Sequence, residues 1–184
     1  MTQSYFEYCT AVSNFFERYP NLTEARKMLK SLLIHACKKS VLRDSKLKAE
    51  FEYLHTELKI LIIQTFVQYE ANEFHNKEIK RLAMTANGLP NPDLFVDPME
   101  AEAGNTWEYL PRHLEHYEIE KPALALEAFF NYKSNSGWCK IVDLVYQAGI
   151  SEETKDLIPT ENILEEQEYL LKFMEILHVI RMRY

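Results

Sequence analysis

Two E-x-x-H pairs are the side chains most able to do chemistry: Glu52 with His55, and Glu175 with His178. At i, i+3 a carboxylate and an imidazole share one helical face, as a carboxylate-bridged di-iron site between packed helices requires. Glu17 and Glu127, both in apolar helical stretches, would supply the bridging carboxylates. Composition argues against the set. With 23 Glu and 6 His among 184 residues, 6 × 23/184, or about 0.75, such pairs arise by chance. Pro20-Asn21 also inserts an extra helix between Glu17 and Glu52, and Glu175 shares its face with Glu168 and Lys172, which reads as a solvent-facing stripe. A metal-dependent helical-bundle enzyme with ligands Glu52, His55, Glu127, Glu175 and His178 is therefore the secondary expectation, and no cofactor is expected.

Other chemistries find less. His113 and His116 flank Glu115 at i, i+3, and surface histidines in a polar turn are their expected state. Arg112 and His116 are one residue too close for the R-x4–6-H motif of all-α ribonucleases. Ser134, Ser136 and Cys139 lack the strained, glycine-flanked elbow of a nucleophile, and no glycine-rich phosphate loop is present. Glu127 lies among Leu126, Ala128, Phe129 and Phe130, and a helix-edge pairing with Lys133 or Arg112 is the simplest way to accommodate it. Cys9, Cys37 and Cys139 are far apart in apolar stretches and are expected as buried free thiols.

Charge is more informative. The net charge is −7, but residues 26–48 carry eight Lys and Arg against Asp44, while residues 93–120 carry eight Asp and Glu against Arg112. The basic stretch, Arg26 to Lys48, would suit a nucleic-acid-associated regulator, yet no aromatic residues are interleaved with it. Nucleic acid is the weaker expectation. The acidic segment carries Asp97, Glu100, Glu102 and Glu108 beside Trp107 and Tyr109, a combination suited to steering and anchoring a basic protein partner. The alternative is that the two stretches pair inside the fold.

The elements that must position these groups are helices. Only four glycines occur, each near a turn or helix end, whereas sheet proteins spend more on hairpins. Helices are expected over 2–19, from a Thr23 cap through Ala36, over 111–117, from Pro122 through Phe130, over 138–148 closed by Gly149, and from a Thr160 cap almost to Tyr184. Between Asp44 and Asn87-Gly88-Leu89-Pro90 no Gly or Pro intervenes, which predicts one helix from about residue 44 to 85, its middle most deeply buried around Ile60–Val67. The connection 87–106 has little helical pattern, and such connections are often functional or mobile. The fold expected is a single all-α domain over 1–184, an irregular bundle of six or seven helices around that long central helix. No bilayer-length apolar run and no signal-peptide pattern is visible, which makes the cytoplasm the default. The functional expectation is a non-enzymatic cytosolic protein-binding module, such as an inhibitor, antitoxin, immunity protein or adaptor, using its acidic aromatic surface.

Overall fold

In the computed structural model, which describes residues 3–19, 21–38, 42–74, 110–151 and 162–183, the regular structure is seven helices with no strand. They are α1 (Gln3–Glu17), α2 (Leu22–Cys37), α3 (Ser45–Glu70), α4 (His116–Glu120), α5 (Pro122–Tyr132), α6 (Asn135–Ile150) and α7 (Ile163–Arg183). Helix starts follow local hydrogen-bonding chemistry. The Asn21 side chain, not Thr23, caps α2 by accepting the Glu24 N–H at 2.9 Å. Asp44 caps α3 through the N–H groups of Lys46 and Leu47, and Ser134 caps α6 through that of Gly137. Pro122 opens α5 at a position where a missing N–H costs nothing. The expected helix over 111–117 is instead an irregular segment followed by α4, and Thr160 lies outside the described residues. Gly149 does not end its helix. It lies inside α6 against α2, where a Cβ would come within 2.8 Å of Leu32 Cδ1.

The helix expected from 44 to 85 is interrupted after Glu70, and 75–85 lie outside the described residues. Helix α3 stops at Glu70, giving 26 residues and a length of about 39 Å. Asn72 adopts φ 56°, the left-handed conformation that Asn tolerates better than most residues. Its N–H donates to Tyr69 O at 2.9 Å, and the Glu73 N–H reaches Gln68 O at 3.1 Å, the paired bonds of a Schellman stop. Phe74 then turns into the core edge-on to Tyr5 and Tyr8.

Nor is the middle of α3 the deepest part of the fold. Its inward stripe, Phe51, Leu54, Leu58, Leu61 and Ile62, packs on α1, α2 and α6, while Ile60, Ile63 and Val67 form an outward stripe 39 to 52% exposed. The stretch buried on every side lies in α7: all residues from Phe173 to Ile180 are buried, enclosed by α1, α2 and α5. Ile63→Lys with Val67→Lys is therefore expected to shift stability by no more than about 0.5 kcal/mol per site, as at exposed positions generally. Urea unfolding checks this, and a loss above roughly 2 kcal/mol would place the stripe in the core.

Among the described residues, no helix is long and apolar enough to cross a membrane. None of the three cysteines forms a disulfide: Cys9 and Cys139 are half-buried, whereas Cys37, at the end of α2, is exposed rather than buried.

Candidate functional site

The C-terminal half of α7 carries a carboxylate into the core. Glu175 is fully buried, not solvent-facing, because the stripe Glu168–Lys172–Glu175 runs from solvent into the interior as α7 descends between its neighbours. Arg26 Nη1 donates to its Oε1 at 2.5 Å, so the first residue of the basic stretch is an internal counter-ion and not a surface cation. The N–H groups of Arg112, His113 and Leu114 converge on the same carboxylate at 2.8 to 3.2 Å. His113 Nδ1 lies 2.8 Å from Oε1, and since a carboxylate only accepts, that nitrogen carries the proton. His113 is thus a half-buried anchor, unlike the surface histidine its polar surroundings suggested.

Arg26 completes the clamp by donating to Leu110 O and Thr23 Oγ1. The segment 110–114 is irregular, with the N–H groups of Arg112, His113 and Leu114 donating to Glu175 instead of to a helix. Burial acts to raise the Glu175 pKa, but hydrogen bonds from His113, the backbone amides and Arg26 outweigh it and hold it below the ordinary carboxylate range. The unfolded chain, with an ordinary glutamate near pH 4.3, therefore takes up this proton first. The stabilisation is complete above about pH 5 and is lost as pH falls through the ordinary range toward the lower folded value. Glu175→Gln should flatten the decline in stability below pH 5. Urea midpoints at pH 7, 5 and 4 measure it, and an unchanged pH slope in the variant would refute the assignment.

The clamp fixes where α4 sits, and α4 forms one wall of a cleft of about 390 Å³ between α4, α5 and α7. Tyr117 and Glu118 line it from α4, Ala125, Ala128 and Phe129 from α5, and Glu165, Glu168, Tyr169 and Lys172 from α7. The two alanines leave the space open. Aromatic stacking makes its base rigid: Phe129 lies between Trp138 (4.3 Å, 6° between planes) and Phe173 (4.5 Å, 17°), and Tyr169 stacks on Tyr132 at 4.3 Å. Three carboxylates against one ammonium leave the lining at net −2. Glu118 is buried, accepts the Glu115 N–H at 2.8 Å, and faces Lys172 Nζ at 3.3 and 3.4 Å. Glu165 accepts the Tyr132 hydroxyl at 3.1 Å, and burial together with that carboxylate pushes the phenol up to about 12. Tyr117 is 57% exposed, and Leu164, one helical turn before Glu168, is 79% exposed.

Of the acidic surface expected from the sequence, Asp97, Glu100, Glu102, Trp107, Glu108 and Tyr109 lie outside the described residues. The described end of that segment supplies Glu118 to the cleft, and Glu118 pairs with Lys172 rather than with the basic stretch. The cleft residues Glu165, Glu168, Tyr169 and Lys172 are absent from the sequence-based expectation, although their recurrence at i, i+3, i+4 and i+7 on one helical stripe was the signal for them.

The alternative metal ligands are not brought together. Glu17, Glu52 and Glu127 are exposed on separate helices, and Lys133, the partner anticipated for Glu127, pairs with Glu166 at 2.9 Å. His55 Nε2 meets Asp143 at 2.6 Å, its ring stacked on Tyr146, and Lys59 shares that carboxylate at 2.7 Å. Burial would raise Asp143, but these hydrogen bonds hold it below the usual carboxylate range. His178 is buried with its ring against Phe16. Among the described residues, no three His, Cys, Asp or Glu side chains form a metal-holding group.

Fold and site together define an all-α bundle with an acidic, aromatic-walled cleft. No protein-family model matches the chain, and neither the curated proteins nor the solved structures yield a match.

Proposed function

We propose that the chain is a non-enzymatic protein-binding module, of the inhibitor, antitoxin, immunity-protein or adaptor kind, that receives a basic segment of a partner protein on its acidic aromatic face. The observation that carries this reading is the cleft itself: net negative, lined by Tyr117, Phe129 and Tyr169, with Tyr117 exposed. Exposed aromatic and apolar side chains anchor an interface, and surrounding carboxylates raise the encounter rate with a cationic partner. Asp97, Glu100, Glu102 and Glu108, with Trp107 and Tyr109, continue the acidic and aromatic composition along the chain, and the proposal includes them as further partner contacts.

Charge reversal tests it. Glu165→Lys with Glu168→Lys, at exposed positions, should leave the melting temperature nearly unchanged and abolish binding of a lysine- and arginine-rich peptide followed by fluorescence anisotropy. Wild-type affinity should fall between 50 and 300 mM salt, because exposed charges are screened beyond about 8–10 Å. Equal binding of basic peptide by the wild type and the reversed variant would remove the main support for the reading.

A further inference from the structure

Resting on that reading, we propose that the cleft is a pocket for one arginine side chain of the partner, and that the chain's own Lys172 stands in for it until the partner binds. The deepest carboxylate of the cleft, Glu118, is nine-tenths and more buried, and a buried carboxylate requires a cation. Lys172 supplies one poorly. Its Nζ lies 3.3 and 3.4 Å from the two oxygens, longer than the roughly 2.7–2.9 Å of a good charge-assisted bond. A guanidinium suits the site better on two counts. Its planar fork addresses both oxygens of a carboxylate at once, which the point charge of an ammonium does not. Exposed Tyr117 and half-buried Tyr169 line its path, and a flat, weakly hydrated cation stacks favourably on such rings. Glu165 and Glu168 at the mouth complement the positive charge on its way in. Lys172 is only half-buried, so its four-carbon stem can swing to solvent when displaced.

Three blocked pentapeptides, Gly-Gly-X-Gly-Gly with X as arginine, lysine or citrulline, separate the possibilities by titration calorimetry on the full chain. Citrulline keeps the shape of arginine and removes its charge. The expected order is arginine tightest, lysine weaker, citrulline undetectable. Lys172→Met keeps the apolar stem and removes the competitor. If Lys172 holds Glu118 in roughly 90% of molecules, its removal tightens arginine binding about tenfold. That variant leaves Glu118 without its cation, so it should melt earlier than wild type and recover when the arginine peptide is added.

Equal affinity for the arginine and citrulline peptides overturns the pocket, and this comparison needs no variant. Unchanged or weaker arginine binding in Lys172→Met overturns the stand-in role. Both results are distinct from failure of the broader reading, which is decided by Glu165→Lys with Glu168→Lys against a long basic peptide.

Discussion

Glu175→Ala is expected to destabilise the protein by about 3–5 kcal/mol, the range for removing one partner of a buried ion pair. Arg26 would be left as an uncompensated cation with 4% of its surface exposed. The amides of Arg112, His113 and Leu114 would lose their common acceptor at the same time. The irregular segment 110–114 has no helical hydrogen bonds to fall back on, so the loss is felt at α4 and the cleft wall it carries. The comparison that isolates the charge is the double replacement Arg26→Met with Glu175→Leu. With no buried charge left behind, it should regain the part of the loss due to the uncompensated cation, because apolar replacement of a buried pair is often neutral or better, while the part due to the three orphaned amides remains. Urea unfolding with a check for constant m-value gives both numbers. A single-variant loss under about 1 kcal/mol would mean the carboxylate is solvated and the clamp does not hold.

This clamp also marks the boundary of what the chain's pattern discloses. Helical periodicity depends on near neighbours, so the all-α class, the Pro122 start and the Asp44 cap were legible. Arg26 and Glu175 are 149 positions apart, and neither residue's neighbours hint at the other. Glu175 was read from Glu168 and Lys172, which do share its stripe, but the stripe changes environment along the axis as α7 enters the core. Position around a helix is periodic, whereas depth along it depends on what packs there. The same limit explains α3. Ile60, Ile63 and Val67 are apolar, and only the absence of a covering helix among the described residues leaves them outward. The stop at Asn72 was more accessible: Asn is second to Gly at a helix C′ position, and a search confined to Gly and Pro passes over it.

Trp138→Ala is expected to cost about 3–5 kcal/mol, as large-to-small replacements of buried aromatic residues do. Trp138 is fully buried, lies parallel to Phe129 at 4.3 Å, and donates its Nε1–H to Phe129 O at 2.9 Å. Truncation therefore removes packing volume, a stacked pair and the partner of a carbonyl. Trp138→Phe keeps a ring against Phe129 and loses the donor and some volume, so it should cost clearly less. The functional consequence follows from the order of the stack. Trp138 backs Phe129 and lies near Tyr132, which in turn stacks on Tyr169, and Phe129 and Tyr169 are walls of the cleft. In Trp138→Ala at a temperature where the chain remains folded, these rings lose their support and basic-peptide affinity should fall, although residue 138 does not line the cleft. Trp138→Phe should retain most of that affinity. Urea unfolding and peptide titration on the two variants supply the readouts. If Trp138→Ala binds as tightly as wild type while losing its stability, the aromatic stack holds the fold together without shaping the cleft, and recognition must reside in the carboxylates alone.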